Sequence, residues 1–301
     1  EQLGYTMPPA VSDRARVAVV MPYIDRWYFA QVLDGVERTF AGKGIVVLVH
    51  RLLDLDDRRR ALLGDIPRRE ADGVVLVNVP PAPDEAALLA DRRIPLVLLG
   101  ASLPGVHRVA IDDVAAARSA TAHLLDLGHR RIGLVSGRPF ERIPFTAPTE
   151  RKQGFLLALK EAGVAWNPNL EVSADFSVRG AQRVAMTLLE REDRPTAVFA
   201  ESDEMAFGVM AAARALGLRV PEDLSLVGID DHDISESMGL TTVAQPVRTL
   251  GELAALQLAG LIGNHGAHPA QRVVVPTMLV VRAYTAPHEG ARPRARGRRR
   301  T

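Results

Sequence analysis

Cysteine is absent from this 301-residue chain, which excludes disulfides and thiolate metal sites without settling the compartment. No apolar run approaches the roughly 18 residues that cross a bilayer, so a helical membrane span is excluded. Aromatic residues make up only 5% of the chain, with two tryptophans, and a cluster of them therefore stands out. Several catalytic signatures are missing as well. No Gly-x-Gly-x-x-Gly follows a strand-like run, no Lys-Ser/Thr pair closes a phosphate loop, and Ser136-Gly137 lacks a nucleophile-elbow pattern. No acid, base and nucleophile can be placed together, so an enzyme is not expected.

Net charge is also small, at +1, but it is unevenly distributed. From His288 onward six arginines face a single glutamate, Glu289, and without that tail the body is near −4. Such a body carries no electrostatic footprint for nucleic acid. The tail, 286–301, is polar and rich in Gly and Pro, which predicts a disordered, solvated end.

What the chain does have is a regular alternation of short Val/Ile/Leu runs with helical patterns. The runs Val17 to Met21, Ile45 to Val49, Gly73 to Val77, Pro95 to Leu99, Ile132 to Val135, Thr196 to Ala200 and Ser225 to Ile229 are too short and too apolar for anything but buried strands. Helices are predicted over Ala30 to Phe40, Ala115 to Leu127, Thr149 to Ala162, Gly180 to Leu189, Glu204 to Leu216 and Leu250 to Ile262. Gly128, Gly163 and Gly217 supply left-handed stops, and Asp203 is placed to accept amides at a helix start. The fold class is α/β, and the pattern restarts near Gly128-His129-Arg130-Arg131. Two similarly wound lobes follow, with a ligand expected at the carboxyl ends of the strands between them.

Six segments, in order, resemble the lactose-repressor (LacI/GalR) family. They are Leu3-Gly4-Tyr5; Leu127-Gly128-His129-Arg130-Arg131-Ile132; Arg151 with Gly154-Phe155; Arg194-Pro195-Thr196-Ala197-Val198-Phe199 with Asp203; Gly217 through Asp231; and Leu240-Thr241-Thr242-Val243 with Gln245-Pro246. The resemblance implies a periplasmic-binding-protein type I-like fold: two Rossmann-like lobes with parallel sheets, joined by three crossovers. It places an N-lobe over about 15–113 plus 246–276 and a C-lobe over about 114–245 plus 277–285, after a headpiece and hinge remnant at 1–14. It further implies a cytoplasmic homodimer whose cleft takes a small-molecule effector, sugar-like or a related metabolite, with no cofactor and no membrane partner. Operator DNA would be a partner only of a full-length protein with a helix-turn-helix headpiece, which does not precede Glu1 here. Pro8-Pro9 disfavours the family's hinge helix. The alternative function on the same fold is a solute-binding receptor of a sugar transporter.

Ligand residues are expected where aromatic faces and paired polar groups meet, because a sugar offers an apolar face and an edge of hydroxyls. Trp27, Tyr28 and Phe29 follow the first strand, where a cleft would open, although the last two could instead staple the next helix to the sheet. By resemblance, Arg151 donates a fork of N–H groups, Asp230 accepts from ligand, and Phe176 stacks on it. Ser202 stands where the family has Asn, so the two-armed amide contact is lost. Arg26-Trp27 replaces Asn-Pro, and Gln245 lies at a crossover with a hinge role as its alternative. Asp231 is read as a turn cap. His123 and His129 are read as helix-surface or crossover residues. No metal site is expected at His232, since no second His-rich segment complements it.

Overall fold

The computed structural model describes residues 15–68, 71–138, 145–263 and 269–288. The expected linker 1–14, with Leu3-Gly4-Tyr5, and the arginine-rich residues 289–301 lie outside them. The beginning of the expected tail is packed: His288 N–H donates to the Leu127 carbonyl at 2.9 Å, and Ala286 accepts at its carbonyl from the His129 and Ser225 side chains.

Among the described residues, two six-stranded sheets carry the fold. The first runs β11(Arg272–Val274), β5(His107–Ala110), β4(Leu96–Leu99), β3(Gly73–Val77), β1(Arg16–Met21), β2(Val46–Arg51), all parallel. The second runs β12(Met278–Val280), β10(Thr241–Ala244), β9(Ser225–Asp230), β8(Ala197–Ala200), β6(Ile132–Gly137), β7(Glu171–Ala174), parallel except that β12 opposes β10. Val17 to Met21 are fully buried, as expected of an interior strand covered on both faces, and each of its Val and Met side chains contributes about 1.5–3 kcal/mol. The chain passes between sheets after β5, after β10 and between β11 and β12.

Helices cover both faces. α1(Trp27–Phe40) buries Phe29, Val32, Val36 and Phe40, one stripe at helical spacing, and packs on α9(Val247–Gly263). α4(Asp113–Asp126) packs on α5(Ala147–Glu161), and α6(Val178–Leu189) on α7(Asp203–Ala215). The predicted stops at Gly128, Gly163 and Gly217 do adopt left-handed φ, at 89°, 65° and 71°.

Several sequence readings change here. α1 begins three residues earlier than the pattern suggests, so Trp27, Tyr28 and Phe29 form its first turn and are not loop residues. Ser202, not Asp203, caps α7, accepting from Met205 N–H at 3.2 Å. Asp231 pairs with Arg282 at 2.7 Å and caps no turn. His129 is buried at 3% exposure because hydroxyls satisfy its ring: Thr196 at Nδ1 and Ser225 at Nε2, each at 3.0 Å.

The Arg151/Gly154/Phe155 segment has a packing reason. A methyl group added at Gly154 would sit 2.2 Å from the Val114 carbonyl oxygen of α4, so only Gly lets the two helices approach this closely. Gly154→Ala is expected to destabilise the fold by about 1–3 kcal/mol. Urea unfolding should show a lower midpoint at unchanged slope.

Candidate functional site

A cavity opens between the two sheets, where the connecting loops of facing α/β lobes hold small-molecule sites. Its walls come from the carboxyl ends of nine strands. Tyr23 and Arg26 follow β1, Asn78 follows β3, Gly100 follows β4, and Asp113 follows β5. Arg151 follows β6 on α5, Phe176 follows β7, Ser202 and Glu204 follow β8, Asp230 ends β9, and Gln245 follows β10. Strand ends of a parallel sheet point their connecting loops the same way, and two such sheets facing each other enclose a site.

One wall is aromatic and spans both lobes. Tyr28 meets Phe29 edge-on at 5.2 Å, Phe29 meets Tyr23 at 5.5 Å, Tyr23 meets Phe145 at 6.3 Å, and Phe145 meets Phe176 at 6.2 Å. Phe176 lies flat against the chain at Gly137, where a methyl group would come within 1.9 Å of its ring. That glycine clears the room for the ring.

The polar wall is built around a buried guanidinium. Arg151 donates Nε–H to Asp113 Oδ1 at 2.7 Å and Nη1–H to the Glu201 carbonyl. Burial disfavours its charge, but Asp113 and Asp230 outweigh that cost and hold it well above its usual range. Asp230 accepts from Gln245 Nε2–H at 2.5 Å and faces Asp203, whose backbone N–H lies 3.4 Å from Oδ2. Burial, and next the Asp203 charge, push Asp230 above the carboxylate range, and burial raises Asp203 as well, with a smaller contribution from Asp231. Asp203 is held from behind by Ser235 and Thr242 hydroxyls, both at 2.7 Å. Tyr28 Oη lies 3.5 Å from Asn78 Oδ1, and burial together with Asp113 raises its pKa. Asn78, Phe176 and Asp230 all hold left-handed or otherwise positive φ, at 59°, 55° and 138°. Non-glycine residues accept such strain mainly where geometry at a site requires it.

Residues 121–285 match the family model of a periplasmic binding protein-like domain. The HTH-type transcriptional repressor CytR of Escherichia coli K12 is 32% identical over 270 residues, covering 85% of this chain and 77% of that protein. The chain belongs to the LacI family of transcriptional regulators. A LacI family regulator from Enterococcus faecium, solved with bound ribose, superposes with a TM-score of 0.81 at 27% identity, covering 91% of this chain and all of that one. The regulator CelR in complex with cellobiose superposes with a TM-score of 0.80 at 29% identity, covering 91% and 86%.

In this LacI-family core, seven of the eight residues singled out from sequence line the one cavity: Tyr28, Phe29, Arg151, Phe176, Ser202, Asp230 and Gln245. Trp27 is not among its lining residues. Its indole N–H donates to Asp233 at 3.0 Å and its ring stacks on His232 at 4.9 Å. Arg151 lies in the second turn of α5, since Pro148 starts that helix earlier than its apolar pattern does. Asn78, Asp113 and Glu204 escaped the sequence reading. The strand ends before Asn78 and Ser202 were visible signals for the first and last, whereas Asp113 follows a strand with no apolar run.

Glu201, directly behind Ser202, is fully buried, and burial pushes its carboxyl up to about 8. Oε2 accepts from Gly137 N–H at 2.7 Å, and Oε1 has no hydrogen-bond partner among the described residues. Its neutral form is thus favoured in the fold, so the folded chain keeps a proton that the unfolded chain releases near 4.5, and stability falls as pH rises toward 8. His129, lowered to about 4 chiefly by burial, acts in the opposite sense only below 6.5. Between pH 6.5 and 8 wild-type stability should therefore fall, with Glu201 contributing as much as about 2 kcal/mol. Glu201→Gln should flatten that decline in urea titrations, with the remaining slope coming from Asp203 and Asp230.

Proposed function

We propose that this chain is the effector-sensing and dimerising core of a cytoplasmic LacI-type regulator, and that its cleft takes a polyhydroxylated, sugar-like molecule. The composition of the cleft carries this reading: an aromatic wall from Tyr28 to Phe176 shares one cavity with Arg151, Asp230 and Gln245. Ring faces cover the apolar side of a sugar, carboxylates accept its hydroxyl protons, and the guanidinium and amide donate to its oxygens. The ribose and cellobiose bound by two structural relatives support the same class. Membership of the sheets supports lobes divided as 15–113 with 246–276 and 114–245 with 277–285, since β1 to β5 and β11 share one sheet and β6 to β10 and β12 the other. Closure of these lobes would pass through the three crossovers to operator-binding headpieces of a dimer.

A thermal-shift screen of neutral mono- and disaccharides, D-ribose and cellobiose included, tests the reading. A ligand at 100 times its Kd should add about 2.7 kcal/mol. Phe176→Ala and Asp230→Asn should each weaken that ligand roughly tenfold. Full retention of the shift in Arg151→Ala would place the binding site elsewhere.

A further inference from the structure

The start of α1 lacks a cap of its own. Arg26, at the capping position, makes no side-chain hydrogen bond to the helix, which leaves first-turn amides to be satisfied from elsewhere. The opposite lobe brings the Glu204 carboxylate, in the first turn of α7, to this end, where the Trp27 backbone N–H favours its charged form. The Trp27 side chain crosses the same boundary. Its ring stacks on His232 with an interplanar angle of 29°, and its Nε1–H donates to Asp233 at 3.0 Å. His232 is itself held in place, edge-on to Phe207 of α7 at 5.4 Å, with Nδ1 accepting from Ile234 N–H at 3.2 Å.

The Trp27 side chain thus makes two different contacts with the second lobe, and neither uses a side chain that lines the cavity. Trp27 immediately precedes Tyr28, and His232 follows Asp230 by two residues, so the contact is chained to an aromatic and an acidic wall of the site. We propose that Trp27, with His232 and Asp233, is an inter-lobe latch: a positioning device that holds the two lobes closed without touching the effector. Its strength sets the fraction of molecules in the closed form. Because apparent affinity scales with that fraction, the latch tunes the affinity for every effector by one common factor. A lining residue, by contrast, changes affinity according to the ligand's chemistry.

The latch acts between the lobes whatever the effector is, so it can be tested on the protein alone, and its failure would leave the effector reading standing. Amide hydrogen exchange with residue-level resolution reports lobe opening even when the open form is rare. Asp233→Ala, at an exposed position, and Trp27→Ala should each raise exchange at the amides of 27–29 and 232 roughly two- to tenfold, the worth of one aromatic contact. Amides of the central strand β1 should be unchanged, and Trp27→Phe, which keeps the stack, should retain most of the protection. Unchanged exchange at 27–29 would overturn the proposal. So would a rise of equal size in β1, because that reports general loosening of the fold and not release of a latch.

Discussion

A guanidinium at 6% exposure can stay charged only among anions and carbonyls, and Arg151 is where this constraint organises the molecule. Its partners come from separate elements: Asp113 opens α4 and the Glu201 carbonyl follows β8, while the Asp230 charge at the end of β9 lies close enough to stabilise the cation. Each of these residues lies at a strand's carboxyl end or just beyond it. The polar wall of the cleft is thus a by-product of neutralising one charge. The close approach of α4 and α5 across Gly154 brings Arg151 to Asp113.

The acids around that cation are in surplus. Asp203, Asp230 and Glu201 are all buried, and one guanidinium cannot neutralise them together with Asp113. Hydroxyls and an amide make up part of the difference for Asp203 and Asp230. The remainder shows as raised proton affinity, and the backbone at Asp230 is held at a φ of 138° to keep the carboxylate at the cavity. A site prepared this way favours ligands that bring hydrogen-bond donors, which suits the hydroxyl-rich ligands of the two solved relatives.

The aromatic residues divide their work by depth. Tyr23, Tyr28, Phe29, Phe145 and Phe176 make an uninterrupted apolar surface within the cavity, while Trp27 lies outside it on the boundary between lobes. The difference follows from helical geometry. Successive side chains on α1 are turned by about 100°, so adjacent residues cannot all face one cavity.

The sequence by itself determined the architecture and pointed to seven of the residues that line the cavity. Interior strands such as Val17 to Met21 and Gly73 to Val77 are covered on both faces, and continuous apolar runs reveal them. Glycine stops reveal helix ends, and six spaced motifs reveal the family. Strands β5, β7, β10, β11 and β12 were not legible, because sequences such as His107–Ala110 and Glu171–Ala174 are short and carry polar residues. Only the tertiary structure decided which neighbours of a motif face the cleft. Trp27 and Tyr28 are alike as aromatic residues after a strand, and nothing local distinguishes the latch from the lining. The distinction arises from where α1 begins and from Asp233, 206 positions away, which accepts from the Trp27 indole.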